Sequence, residues 1–108
     1  MTVIRGTTPD YVLTLPTNLD GMTVYVTIEQ HGRKITLSGE ELTVAPGEET
    51  STVAFMLTQE QTLGLSEGMA SIQVKFVDSA GTVGATNVGR LGVDRALLER
   101  VIEYVPVS

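Results

Sequence analysis

The chain has 108 residues, 42% of them hydrophobic, with no cysteine, no tryptophan and a formal net charge of -6. A chain this short supports one hydrophobic core, so a single domain is expected, packed without disulfides from Val, Leu, Ile, Met and a few aromatics. The acidic balance and the lack of any Lys/Arg run argue against nucleic-acid binding, and no segment approaches the roughly 20 apolar residues needed to cross a membrane.

The absence of cysteine leans toward a protein made in a reducing cytosol. The start, Met1-Thr2-Val3-Ile4-Arg5-Gly6, lacks the basic and long apolar regions of a signal peptide.

The apolar pattern has period two along most of the chain. Tyr11, Leu13 and Leu15 alternate with Val12 and Thr14 until Pro16, which cannot donate to a ladder. Asp20-Gly21 marks a turn. Over residues 22–30, Val24, Val26 and Ile28 point one way while Thr23, Tyr25, Thr27 and Glu29 point the other. His31-Gly32 turns the chain, so residues 30–34 read as a hairpin loop leading into a strand with Ile35 and Leu37. Ser38-Gly39 turns it again before the short strand Leu42-Thr43-Val44, which Pro46-Gly47 closes.

Residues 50–57 alternate with Val53, Phe55 and Leu57 inward, and residues 69–77 form another alternating strand. After the turn Asp78-Ser79-Ala80-Gly81, a glycine-interrupted strand region runs over 82–93, where bulges or edge irregularities are expected. About seven strands with a turn roughly every ten residues predict an all-β, antiparallel sandwich over residues 1–94, although a small closed barrel would leave much the same pattern.

The remaining residues, 95–108, break the pattern. Leu97, Leu98, Val101, Ile102 and Val105 share one helical face, Asp94 is placed to cap it and Pro106 to stop it, predicting a helix over 95–105. Val101 and Ile102 are β-branched and also fit a last strand.

Residues able to do chemistry are scarce. His31 is the single histidine and sits in a polar turn, and without cysteine it offers no zinc site. The pairs Glu40-Glu41 and Glu48-Glu49 fall in turns, where they read as solvated loop charges. No nucleophile elbow or phosphate loop occurs. The expectation is therefore no enzyme, no catalytic residue, no metal and no cofactor. Tyr11, Tyr25 and Tyr104 are too few and too scattered for a sugar-stacking face, so a carbohydrate- or ligand-binding surface module ranks below a protein-binding role.

Two runs stand out: Arg5-Gly6-Thr7-Thr8-Pro9 and Leu57-Thr58-Gln59-Glu60-Gln61-Thr62-Leu63. In the second, Thr58 is placed to cap a helical turn near 58–64, Gln61 to reach back in a capping box, and Leu57 and Leu63 to hold both ends to the core. Together with the strand before Gly32 and with Ile72-Gln73-Val74, these runs resemble a family of short phage and prophage proteins. That family is similar to the immunoglobulin-like N-terminal domain of upper baseplate proteins. The resemblance spans most of residues 5–93. It implies an immunoglobulin-like fold and a structural or adaptor role in a tail or baseplate, made in the bacterial cytoplasm and carried into the virion. The implied partners are other phage structural proteins or further copies of the chain in a homo-oligomer. No long helical or receptor-binding region is expected after the domain, so the resemblance does not carry host recognition to this chain.

The candidate interaction surface comprises an N-terminal arm over residues 1–8 with Arg5 and Thr7, an exposed strand edge, and the apolar face of Leu97, Leu98, Val101, Ile102 and Val105. If Thr58 caps the turn, Thr58→Ala lowers stability by about 1 kcal/mol, read from denaturant unfolding. Unchanged stability would defeat the capping assignment.

Overall fold

The computed structural model describes residues 2–86 and 88–95. Among these, nine strands follow in order: β1 (Thr2–Ile4), β2 (Asp10–Leu15), β3 (Thr23–Gln30), β4 (Arg33–Ser38), β5 (Leu42–Ala45), β6 (Ser51–Met56), β7 (Gly68–Val77), β8 (Val83–Ala85) and β9 (Gly89–Asp94). A 3-10 turn (Gly39–Glu41) precedes β5, and the short helix α1 (Gln59–Leu63) joins β6 to β7. The helix expected over 95–105 lies, apart from Arg95, outside the described residues.

The strands form two sheets. The larger runs β1-β9-β7-β3-β4, with β8 also paired to β7; the smaller runs β2-β6-β5. The smaller sheet has the order of strands B, E and D of an immunoglobulin-like domain, and β4, β3, β7 and β9 take the places of C′, C, F and G. The expected sandwich is therefore present.

Its core follows from the alternation. Val24, Val26 and Ile28 of β3 face Val53 and Phe55 of β6 across the sandwich, and all five are buried. Tyr11 packs against Phe55 with ring centroids 5.5 Å apart and the rings tilted by 47°.

Three differences from the sequence expectation have physical causes. First, residues 2–4 are no arm: β1 pairs in parallel with β9, Thr2 opposite Gly92 and Ile4 opposite Asp94, and Val3 is fully buried. A parallel pairing leaves no hairpin signal in sequence. Second, the 82–93 region is two strands. β8 pairs Ala85 with Lys75 and β9 pairs Gly89 with Ile72, so the register shifts by one residue between them. That shift is the irregularity the glycines suggested.

Third, the first hairpin loop is only two residues long, because Gln30 pairs with Arg33 and Lys34 already belongs to β4. His31 has φ 51° and Gly32 φ 82°, the left-handed pair that a tight hairpin of this twist requires. Nothing lies within 4 Å of a Cβ built on Gly32, so its backbone angle alone resists a side chain. Gly32→Ala should lower stability by about 1–2 kcal/mol in chemical denaturation, and a neutral result would contradict the left-handed assignment.

Candidate functional site

The two distinctive runs of the sequence meet at one end of the sandwich. The Thr58 side chain accepts from the Gln61 N–H at 3.1 Å, and the Gln61 carboxamide oxygen accepts from the Thr58 N–H at 2.8 Å, closing the expected capping box. Leu57 is buried and Leu63 half-buried.

The segment over residues 5–9 is laced to this turn. The Leu57 N–H donates to the Pro9 carbonyl at 3.1 Å, and the Thr62 hydroxyl donates to the Thr7 carbonyl at 2.9 Å. Arg5 donates through Nε to the Leu65 carbonyl at 2.6 Å and through Nη2 to the Leu63 carbonyl at 2.9 Å. Thr62 is 0% exposed, so its hydroxyl requires such a partner.

The loop after α1 is held from the larger sheet as well. Arg33 Nη1 donates to the Gly64 carbonyl at 2.8 Å. The buried Gln30 carboxamide donates to the Ser66 carbonyl at 2.7 Å and accepts the Ser66 N–H at 2.6 Å. Four consecutive carbonyls, Leu63 to Ser66, thus each accept a side-chain bond.

The proposed contact residues fall as follows. Arg5 is half-buried with its guanidinium on the Leu63 and Leu65 carbonyls. Thr7 is exposed, with its hydroxyl donating to the Ile4 carbonyl at 2.6 Å. Leu97, Leu98, Val101, Ile102 and Val105 lie outside the described residues.

At the opposite end, Ser51 takes a part that its sequence position does not advertise. It is 2% exposed, donates to the Thr17 carbonyl at 2.8 Å, and accepts from the Leu19 N–H at 3.0 Å and the Gly47 N–H at 3.3 Å. Two loops are pinned by this one hydroxyl.

Between the two ends, the side of the sandwich along β2 is open among the described residues. In an immunoglobulin-like domain strand A pairs beside B. Here β1 joins β9, and among the described residues no strand pairs with the outer edge of β2. A cavity of about 320 Å³ lies along that edge, lined by Leu13, Leu15 and Pro16 from the β2 side and by Ile72, Val74 and Gly89 from the larger sheet. A second, of about 350 Å³, continues it past Leu15 and Pro16 to Phe76 and Ala85. The outer face of the smaller sheet adds Val12, 65% exposed, and Met56, 54% exposed.

The residues singled out in the sequence for chemistry lie apart. His31 stands exposed at the hairpin tip, and Glu40, Glu41, Glu48 and Glu49 are exposed beside β5. Among the described residues no three His, Cys, Asp or Glu side chains gather where a metal could be held, and no helix is long and apolar enough to cross a membrane. No protein-family model and no curated protein matches the chain.

Tyr11 links the two sheets beside β1. Its hydroxyl donates to the Thr2 carbonyl at 2.6 Å, and burial raises its pKa above the usual phenol value. Because the folded pKa exceeds the unfolded one, the stabilisation is complete below about pH 10 and is lost as pH climbs through the folded value. Tyr11→Phe should cost about 0.5–1 kcal/mol at neutral pH in urea unfolding. The gap between the two proteins should narrow above about pH 10, and a gap that stays constant there would remove Tyr11 as the titrating group.

Proposed function

We propose that this chain is a structural or adaptor protein of a phage or prophage particle, in the tail or baseplate, acting through protein–protein contacts. The observation that carries the reading is the side along β2, a strand edge that is unpaired among the described residues and lies beside an apolar cavity, which suits the capture of another polypeptide. The resemblance of the 5–9 and 57–63 runs to phage structural proteins supplies the setting. The spatial meeting of these runs supports treating them as one motif, since each supplies hydrogen-bond partners to the other.

In this reading the chain catalyses nothing, is made in the cytoplasm of the bacterial host and ends in the virion. It binds other phage structural proteins or copies of itself, using the β2 edge and its terminal segments. A carbohydrate-binding module would call for several exposed aromatic rings on one face. Among the described residues Tyr25 alone is an exposed aromatic side chain, so the protein-binding reading stands ahead.

Mass spectrometry of purified phage-like particles, induced from the source bacterium, tests this. Peptides of the chain at a fixed ratio to the tail proteins are expected. Their absence from particles, with the protein abundant in the lysate, would overturn the structural role.

A further inference from the structure

We infer that the outer edge of β2 accepts an extended segment of a partner protein, apolar in its centre and carrying Lys or Arg at both ends, as a fourth strand of the smaller sheet. This deepens, and rests on, the reading of the chain as a protein-binding component.

The backbone geometry comes first. Leu57 N–H bonds to the Pro9 carbonyl, and β2 then pairs with β6 from Asp10 opposite Met56 to Leu15 opposite Ser51. Antiparallel pairs alternate between bonded and non-bonded positions, so Tyr11, Leu13 and Leu15 turn their N–H and C=O groups to β6. Asp10, Val12 and Thr14 turn theirs outward. The other sheet margins carry features that discourage pairing: β4 begins with Arg33 and Lys34, β5 is four residues long, and β1 and β8 are three residues long each. β2 is six residues long with neither Lys nor Pro within it.

Side chains come next. A strand added here points alternate residues into the cavity against Leu13, Ile72 and Val74, and the others outward beside the exposed Val12. The apolar lining calls for aliphatic residues at the inward positions.

Charge selects among occupants. Residues 6–32 and 35–74 contain no Lys or Arg, so the whole smaller sheet and its connecting loops are without a base. Five of the acids there lie toward the two ends of β2, with Glu41, Glu48 and Glu49 on its β5 side. Asp10 and Glu41 line one cavity at its start. Past its other end lies Asp20, with Glu48 and Glu49 in the loop that Ser51 joins to the β2–β3 connection. All five are exposed. A second copy would bring the same acids against these and be repelled, whereas a segment with basic ends is attracted.

The test uses the full chain and two peptides, Lys-Lys-Val-Thr-Val-Thr-Val-Lys-Lys and its counterpart with Glu in place of each Lys. Amide hydrogen exchange is followed by NMR. The Lys peptide should slow exchange at Val12 and Thr14 by about tenfold or more, and the Glu peptide should bind at least about tenfold more weakly. Added salt should weaken the Lys peptide. Val12→Pro removes one outward N–H and should abolish the slowing at Thr14; if that variant does not fold, the wild-type exchange data decide alone.

Equal binding of both peptides, no binding, or slowing at β4 instead would overturn the inference. So would slow exchange at Val12 and Thr14 before peptide is added. In monomer this would mean the chain covers its own edge, and in a concentration-dependent dimer that a second copy does. The particle experiment is independent. A chain found in particles that ignores the Lys peptide loses only the β2 assignment. One that binds the peptide but is missing from particles loses only the phage role.

Discussion

The constraint on which the rest of this fold depends is the need to satisfy the backbone of the loop after α1. That loop carries the chain from the smaller sheet to the larger one at a place where the core closes, with Leu57 and Leu65 fully buried on either side of the turn. Carbonyls that such a turn draws away from water need protein donors. Arg5, Arg33 and Gln30 provide them, and each comes from the margin of a different strand, β1, β4 and β3. One short loop therefore sets where three strands of the larger sheet end relative to β6. The guanidinium of Arg5 suits this because its planar fork reaches two carbonyls at once, which a lysine ammonium does not reproduce.

The same lacing explains the course of the N-terminal segment. Once Arg5 and the Thr7 and Pro9 carbonyls are tied to the 57–65 region, residues 2–4 are delivered to β9 rather than to β2. Burial of Val3 between the sheets stabilises that choice, and the Tyr11–Thr2 hydrogen bond holds the corner. The consequence, among the described residues, is an outer β2 edge with no strand paired to it. The open side is thus a product of how the first strand is routed, and the glycine-bearing register shift between β8 and β9 leaves room beside it.

Charge is distributed along the same division. The Lys and Arg side chains of the described residues belong to the larger sheet and its margins, and the smaller sheet with its loops carries acids but no Lys or Arg. Such a two-sided arrangement has little effect on folding, since exposed charges at these separations are screened. Its effect is on what can approach each side.

Period-two alternation by itself determined an all-β fold and the inward rows Val24-Val26-Ile28 and Val53-Phe55-Leu57, because these follow from local geometry; the choice of sandwich over barrel and the two-residue length of the His31-Gly32 turn came from the strand pairing. The capping box at Thr58 was equally legible, since its partners are three residues apart. Only the tertiary structure decided the parallel β1–β9 pairing, the bonds from Arg5 to residues about 60 positions away, the burial of Ser51 and Thr62, and the open β2 edge. Each of these joins segments far apart in the chain, and a polar residue that will be buried looks, in sequence, like one that will be solvated.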